Sequence, residues 1–255
     1  MKEILLEENL KVLKECSSSN TVFGFDYDGT LAPIVDNPNI ARMAETTSSL
    51  LRELNEIGSV AIITGRSIKD VQRLLPITPK YLIGNHGIEG GVDDEALKEI
   101  KVLMRSLKTS LLSKLKAELV EHGIRIEDKM YSLSLHYRNS VSPYFAKKLI
   151  ENFFKDHTSV RMVSGKMVLN ILPNSNNDKG TAFLKILSLE NVKWGLFVGD
   201  DVTDEDVFSR RDPRVIGIKV GNIENTHASY YIEHQKEINL LLGILIKFIK
   251  INLRS

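Results

Sequence analysis

Two aspartates, Asp26 and Asp28, directly follow the apolar run 21–25. A short apolar run bounded by glycine and turn residues is typical of a strand buried on both faces. Alternate side chains of an extended segment point the same way, so both carboxylates can converge at the carboxyl end of the strand, where open α/β sheets bind ligands. Two such carboxylates repel unless a cation lies between them or one of them keeps a proton. Mg²⁺ favours one or two carboxylates together with phosphate oxygens. The segment predicts phosphate chemistry, although a helix-capping turn around Gly29 also fits these residues alone.

A second acidic cluster covers residues 199–206 and also follows an apolar run, 196–198. Taken alone, it fits an acidic helix start, because Asp and Glu favour the first turn of a helix. Two acidic clusters that each follow a buried-strand pattern favour a shared function. We therefore expect Asp200, and Asp204 through water, to complete a metal site begun by the first cluster.

Two further segments carry groups suited to a phosphate. The apolar run 60–63 leads into Thr64, Gly65 and Arg66, where a hydroxyl and main-chain N–H groups beside a helix start can bind phosphate oxygens. Ser67 and Asp70 also fit a capping box at the helix start. Helix capping and phosphate binding are compatible if Ser67 caps the helix while Thr64 faces the site. Lys179 opens the helical pattern 182–189, although a lysine at a helix start is usually solvated.

With these four segments in order, the chain resembles the haloacid dehalogenase-like phosphatase superfamily over nearly its whole length. In that family the first aspartate is the nucleophile and the second is the general acid/base. The resemblance implies that Thr64 binds phosphate, that Lys179 steadies charge, and that Mg²⁺ is the cofactor. The residues implied as metal ligands are Asp26, Asp28, Asp200 and Asp204.

The segment between Thr64 and Lys179 is far longer than a crossover helix needs. Its patterns predict a helix, a hairpin, a second helix and a second hairpin, over 93–121, 124–138, from 142, and 160–172. We interpret residues 88–173 as an inserted α+β cap domain that sets substrate specificity. Residues 1–87 and 174–255 then form the catalytic core, an α/β fold with a doubly wound parallel sheet.

Polar residues in and before this insert resemble the trehalose-6-phosphate phosphatase family, through the segments 84–87, 127–129 and 135–138. In that family, cap residues grip the sugar. The resemblance implies Glu127, Lys129 and Arg138 as sugar contacts, although ordinary surface polarity also fits them. The complete set of expected substrate-binding residues is Gly65, Arg66, Asn85, His86, Glu127, Lys129, Arg138 and Asn170.

Asn170 departs from the family pattern, which has a glutamate before a proline in the last cap strand. Asparagine lacks the charge that strengthens hydrogen bonds to sugar hydroxyls. The expected reaction is hydrolysis of trehalose 6-phosphate in trehalose biosynthesis. Alternatives are a phosphatase for sucrose 6-phosphate or for mannosyl- or glucosyl-3-phosphoglycerate, a hexose phosphomutase, and a non-catalytic sugar-phosphate-binding regulator.

The composition indicates an ordinary globular protein, and the resemblance implies that its substrate is a small-molecule sugar phosphate. The 255 residues are 42% apolar and 26% charged, and 34 basic against 33 acidic residues give a net charge of +1. This balance argues against nucleic acid as the main partner. The partner implied by the family is a trehalose-6-phosphate synthase.

Cys16 is the single cysteine, which excludes an intramolecular disulfide. The start of the chain lacks a secretory signal pattern and the apolar stretch 238–251 is too short to span a bilayer, so we expect a cytoplasmic protein without membrane contact.

Overall fold

The computed structural model describes residues 1–35 and 38–253. The chain divides into two compact units. The core unit comprises Met1–Gly90 with Asp178–Ser255, and the inserted unit comprises Gly91–Asn177.

The described residues form eleven strands and eight α-helices. The strands are β1 (Lys2–Glu3), β2 (Thr21–Phe25), β3 (Ser59–Ile63), β4 (Tyr81–Ile83), β5 (Arg125–Asp128), β6 (Leu133–His136), β7 (Val160–Gly165), β8 (Val168–Pro173), β9 (Trp194–Gly199), β10 (Val215–Val220) and β11 (Tyr230–Ile232). The helices are α1 (Leu10–Cys16), α2 (Glu45–Ile57), α3 (Ile68–Gln72), α4 (Asp94–Glu121), α5 (Pro143–Phe154), α6 (Lys179–Glu190), α7 (Glu205–Phe208) and α8 (Ile238–Asn252). Short 3₁₀ turns cover Glu7–Asn9, Pro38–Ile40, Asn85–Gly87, Val202–Asp204 and Gln235–Glu237.

The sheet of the core unit has seven strands in the order β1-β11-β10-β9-β2-β3-β4, and all of its pairings are parallel. From β2, the chain builds outward on one side to β3 and β4, and later returns on the other side of β2 with β9. The strand order therefore reverses between β2 and β9. Ligands of open α/β sheets bind at such a switch point, beyond the carboxyl ends of the strands.

Helices cover both faces of this sheet, which is why its central strands are apolar throughout. Phe23 and Phe25 of β2 pack with side chains from α2 and α8. Val22 points to the other face and packs with Phe183 and Phe197 in the second core, to which α6 and α7 contribute. The predicted doubly wound fold class is confirmed.

The apolar runs of the sequence do not indicate one edge of the sheet. β1 and β11 extend the sheet by two short strands, whose few residues carry no clear periodic signal. Cys16, at the end of α1, is fully buried. Ser67 caps α3 as expected, because its hydroxyl oxygen accepts the Asp70 main-chain N–H at 3.2 Å.

The inserted unit contains an antiparallel sheet in the order β5-β6-β8-β7, together with α4 and α5. Residues directly opposite one another in paired strands share a face. The register therefore places four polar side chains on one face of this sheet, which we call the polar face: Glu127, Ser134, His136 and Asn170. The alternate residues Leu133, Leu135 and Leu169 are buried.

Within the described residues, no helix combines the length and the apolar character that crossing a membrane requires. The most apolar helix, α8, is part of the core unit, and its residues Leu241, Leu242 and Leu245 are fully buried there. Its apolar character is explained by packing against α1 and α2.

Candidate active site

Neighbouring parallel strands bring the sequence motifs to one edge of the core sheet. Phe25 of β2 lies opposite Val198 of β9, so Asp26 leaves its strand beside the acidic segment that follows β9. β3 is paired with β2 on the other side, and Thr64 is the first residue after it. The site therefore lies at the predicted switch point.

Asp26 is a buried carboxylate whose orientation is fixed by the main chain and by a lysine. Its main-chain N–H donates to the Val198 carbonyl at 2.9 Å, which extends the sheet one residue beyond β2. Its Oδ1 accepts the Tyr27 main-chain N–H at 2.7 Å, and its Oδ2 lies 3.0 Å from Lys179 Nζ. The residue is only 5% exposed.

Lys179 is the first residue of α6, and its ammonium group lies between two carboxylates. Nζ donates to Asp204 Oδ1 at 2.8 Å and lies 3.0 Å from Asp26. The side chain of Asp178 caps α6 and also accepts from Arg210 at 2.7 Å, which fixes the start of the helix. Because the Lys179 side chain is 1% exposed, the structure excludes a solvated helix-start lysine.

The acidic segment after β9 is folded around Asp204. Asp204 Oδ2 accepts the Asp201 main-chain N–H at 2.9 Å, and Asp201 completes a capping box. Asp200 Oδ1 accepts the Thr30 hydroxyl at 3.2 Å. Gly29 has φ of +79°, and a Cβ there would overlap the Asp200 carboxylate, so only glycine suits this contact. The two acidic motifs therefore form one packed unit.

Burial and repulsion between carboxylates dominate the electrostatics of this cluster. Burial raises the pKa of Asp26 to about 7, because Lys179 offsets only part of the effect and Asp204 adds repulsion. Burial likewise raises the pKa of Asp200 to about 8, and repulsion from Asp26 is the next cause. For Lys179, burial disfavours the charge, but Asp204 and Asp26 outweigh it and raise the pKa. A single ammonium group therefore leaves the cluster with excess negative charge.

Three of these residues fit a hard divalent cation. Asp26, Asp200 and Asp204 each offer a carboxylate oxygen, and these oxygens lie within 4.8 Å of one another. Carboxylate oxygens are the ligands that Mg²⁺ favours, and its charge would relieve the repulsion that raises the two pKa values. The residues present therefore fit the predicted metal.

Asp28 lies in a different environment from Asp26. Its two carboxylate oxygens accept from Arg66 Nε and Nη2, each at 2.6 Å. Asp28 has a side chain that is 37% exposed. The structure thus divides the two aspartates that were expected to share a cation, because the Arg66 guanidinium binds both oxygens of Asp28. A metal-ligand role for Asp28 stays a prediction.

The phosphate-binding segment after β3 contacts the loop after β4. Thr64 is 1% exposed, and its hydroxyl oxygen accepts the Arg66 main-chain N–H at 3.2 Å. The main-chain N–H of His86 donates to the Thr64 carbonyl at 2.9 Å. A Cβ at Gly65 would overlap the His86 imidazole. Asn85 and His86 are both buried with positive φ, so four predicted residues of this region lie together around Thr64.

In the inserted unit, Glu127 is held by a neighbour on the polar face. Glu127 Oε2 lies 2.8 Å from His136 Nε2. This hydrogen bond is the largest cause that lowers the pKa of Glu127 to about 2, and the charge of Lys129 acts in the same direction. Glu127 is therefore an ionised acceptor with a defined orientation.

Asn170 is engaged within the same polar face. It lies opposite Ser134 in the register, and its Oδ1 accepts the Ser134 hydroxyl at 2.7 Å. Arg138 follows β6 in the chain, just beyond the strand. The structure therefore brings Glu127 and Asn170 onto one sheet face, with Lys129 and Arg138 next to its strands.

Sequence reasoning missed two contacts to the acidic segment. Thr30 binds the Asp200 carboxylate, and Lys219 binds main-chain carbonyl groups of Asp200 and Asp201. The second contact had a signal, because Lys219 is the one charged residue in the otherwise apolar strand β10. A lysine within a strand buried on both faces requires a partner.

A doubly wound sheet with this cluster at its switch point and an inserted antiparallel sheet is the architecture of haloacid dehalogenase-like hydrolases. A solved trehalose-6-phosphate phosphatase related protein matches with a TM-score of 0.71 and 25% identity, over 89% of this chain and 97% of the other. The C-terminal domain of the C. albicans trehalose-6-phosphate phosphatase matches with a TM-score of 0.72 and 22% identity, over 94% and 97% of the two chains. The second likeness shows the fold alone.

The family model described as trehalose-phosphatase matches residues 24–236. A probable trehalose-phosphate phosphatase H of Arabidopsis thaliana is 29% identical over 262 residues, which cover 93% of this chain and 75% of the relative. The chain belongs to the trehalose-phosphatase family. The family predicted from the sequence and its enzyme class, the phosphoric monoester hydrolases, are confirmed.

The raised pKa of Asp200 makes a prediction about stability. The folded state raises this pKa from 3.8 to about 8, so ionisation of Asp200 destabilises the metal-free fold as the pH rises through that interval. We expect Asp200→Asn to raise the melting temperature of the metal-free protein at about pH 8, with little effect at about pH 4. Thermal unfolding in a chelator, followed by circular dichroism, measures this change.

Asp212→Asn is the matched control, because Arg214 lowers the pKa of Asp212 through a hydrogen bond. This substitution should lower the melting temperature or leave it unchanged. Excess Mg²⁺ should stabilise the wild-type protein and the Asp212 variant, and should no longer stabilise the Asp200 variant. A lower melting temperature of metal-free Asp200→Asn at about pH 8 would contradict the electrostatic account.

Proposed function

We propose that the chain is a Mg²⁺-dependent phosphatase that hydrolyses trehalose 6-phosphate to trehalose and phosphate through an aspartyl-phosphate intermediate. The buried cluster of Asp26, Lys179, Asp200 and Asp204 is the observation that carries this proposal. Membership of the trehalose-phosphatase family supports the substrate. The reaction belongs to trehalose biosynthesis, in which a trehalose-6-phosphate synthase supplies the substrate and is the proposed partner.

The slow uncatalysed reaction explains why such a cluster is needed. Hydrolysis of phosphate monoesters requires accelerations that approach ~10²¹-fold. General acid–base catalysis supplies only about 10²- to 10⁴-fold. A covalent intermediate and stabilisation of the phosphoryl charge supply the remainder.

In the first step, an Asp26 carboxylate oxygen forms a bond to phosphorus while the bond from phosphorus to the sugar oxygen breaks. Lys179 and the Thr64 hydroxyl bind phosphoryl oxygens during this step. Asp26, Asp200 and Asp204 would hold Mg²⁺, whose positive charge would keep these carboxylates ionised and would offset the negative charge of the phosphoryl group. The carboxylate of Asp26 is pre-oriented by its bond from Tyr27.

Asp28 moves the protons in both steps. Once one of its bonds to Arg66 opens, Asp28 takes up a proton from solvent, and in the first step it passes this proton to the departing sugar oxygen. In the second step a water molecule attacks phosphorus, Asp28 accepts a proton from that water, and the bond from phosphorus to Asp26 breaks. Asp28 gives up one of its two bonds to Arg66 when it contacts the sugar oxygen. The bond that remains keeps the carboxylate in place.

We assign recognition of the sugar to the inserted unit, because the sequence analysis interprets this unit as the domain that sets substrate specificity. Glu127, held by His136, is an ionised acceptor for hydroxyl groups. Lys129 and Arg138 supply charged donors. In the core unit, Asn85 and His86 lie beside Thr64 and are the proposed substrate contacts there, together with Gly65 and Arg66.

Asn170 favours a second candidate, a phosphatase for another sugar phosphate. Its carboxamide oxygen already accepts from Ser134 within the sheet, and it carries no charge with which to replace the expected glutamate. A panel of sugar phosphates, assayed for phosphate release, separates the two candidates. The proposal requires trehalose 6-phosphate to have the highest kcat/KM, and a higher value for sucrose 6-phosphate or a phosphoglycerate glycoside would favour the second candidate.

The nucleophile assignment predicts that Asp26→Asn abolishes turnover. The amide cannot form the phosphoenzyme, and we expect kcat to fall by about 10⁴-fold or more while the fold is retained. Asp28→Asn should also reduce kcat strongly, and the phosphoenzyme should accumulate because dephosphorylation lacks its base. Rapid-quench trapping of phosphate on protein measures both effects.

Asp212→Asn, in a surface ion pair with Arg214, is the control and should turn over normally. Substantial activity of the Asp26 variant would remove the nucleophile from the mechanism. So would a phosphoenzyme that forms in that variant.

The raised pKa values predict that metal binding releases protons. Below about pH 7 both Asp26 and Asp200 are largely protonated in the metal-free site, so the affinity for Mg²⁺ should fall as the pH is lowered from about 8 to about 6. Calorimetric titration in buffers of different ionisation enthalpy counts the protons released. Chelation should stop turnover and added Mg²⁺ should restore it. An affinity that does not change over this range would contradict protonated ligands.

The roles of Lys129 and Arg138 predict a split between substrates. Lys129→Ala and Arg138→Ala should each lower kcat/KM for trehalose 6-phosphate by about 10- to 100-fold, because charged hydrogen bonds to the sugar are lost. For a small aryl phosphate, which lacks the sugar, the same variants should stay within about threefold of wild type. Lys116→Ala, at an exposed position of α4, is the control in the same unit. Equal losses on both substrates would show that these side chains do not contact the sugar.

A further inference from the structure

Lys219 is a buried lysine that contacts the acidic segment from its main-chain side. It lies at the carboxyl end of β10, opposite Gly199 of β9, and is 6% exposed. Its Nζ donates to the Asp200 carbonyl at 2.6 Å and to the Asp201 carbonyl at 3.2 Å. An ammonium group has three donors and no acceptor, so two of its donors serve consecutive peptide groups of this segment.

Glu205 holds the lysine in this position. Glu205 Oε1 lies 3.8 Å from Lys219 Nζ, and its Oε2 accepts the His227 main-chain N–H at 2.8 Å. The ammonium group is therefore hydrogen-bonded to two carbonyl oxygens, and the Glu205 carboxylate adds electrostatic attraction at a longer distance. Desolvating a lysine costs considerable free energy. An apolar residue at the same position of β10 would pack against the core without that cost.

The contacts to carbonyl groups limit how the Asp200 carboxylate can move. Lys219 holds the Asp200 main chain, and the Thr30 hydroxyl holds its side chain. The lysine also places a positive charge behind a segment whose carboxylates repel one another. Groups that orient metal ligands from behind typically contribute 10- to 100-fold to metal affinity.

We propose that Lys219 is a positioning residue for the divalent-cation site, in that its ammonium group fixes the Asp200–Asp201 peptide so that the Asp200 carboxylate is aimed at the metal. The inference rests on the proposed metal dependence. It assigns to β10 a part in the site that the sequence motifs do not include. Lys219 acts through Asp200 and touches neither the substrate nor the reacting atoms.

Binding of Mn²⁺ to the substrate-free protein, measured by the paramagnetic resonance of free Mn²⁺, tests this inference without turnover. Lys219→Met keeps the length of the side chain and removes the charge and the donors. We expect its Kd for Mn²⁺ to rise about 10-fold or more, and Lys219→Gln, which keeps one amide donor group, to lie between Met and wild type. Lys80→Met removes an exposed lysine that pairs with Glu190 and should bind Mn²⁺ as wild type does.

Melting temperatures of the same variants separate positioning from a purely structural role. A variant that is less stable but binds Mn²⁺ with the wild-type Kd would overturn the inference. If neither substitution gives folded protein, a crystal structure of the wild-type protein with Mn²⁺ decides. The inference is supported if Asp200 ligates the ion while Lys219 remains hydrogen-bonded to the Asp200 carbonyl. It is overturned if the Lys219 side chain is turned away from that carbonyl. Absence of Mn²⁺ binding by the wild-type protein would instead refute the proposed metal dependence.

Discussion

The rest of the site depends on one buried ammonium group placed among three carboxylates. Lys179 pairs with Asp26 and Asp204, while Asp200 lies within reach of the same cluster. One positive charge cannot balance three negative charges in a desolvated site, so the carboxylates retain protons or attract a cation. The raised pKa values of Asp26 and Asp200 express this imbalance. A site with this excess charge is suited to take up a divalent cation.

Sheet topology explains how residues far apart in the chain reach this cluster. Because the strand order reverses between β2 and β9, the segments that follow these two neighbouring strands meet at the same edge of the sheet. Gly29 lets those segments touch, since any side chain would overlap the Asp200 carboxylate. Capping of α6 by Asp178 then sets the position from which Lys179 enters. Local conformation and global topology thus specify the same arrangement.

The sequence predicted this meeting point well, because each motif followed an apolar run whose end had to lie at the sheet edge. It could not predict which partner each polar group would take. Arg66 lies 38 positions after Asp28, and nothing in either segment indicates a bidentate pair. The short strands β1 and β11, the last two on one side of the sheet, were missed because two or three residues carry no period. Lys219 was missed although a lone lysine in an apolar strand is itself a signal.

Asp26 and Asp28 show how the fold can give different chemistry to two carboxylates two residues apart. Asp26 continues the parallel sheet, is buried, and faces an ammonium group and two further carboxylates. Asp28 lies beyond the strand, is partly exposed, and is bound by the Arg66 guanidinium. A buried carboxylate held in one orientation suits attack on phosphorus, whereas a carboxylate open to solvent suits exchange of protons with water. The parallel sheet, which Asp26 extends one residue beyond β2 and Asp28 does not, is therefore what separates their environments. Environment assigns the roles of chemically identical groups.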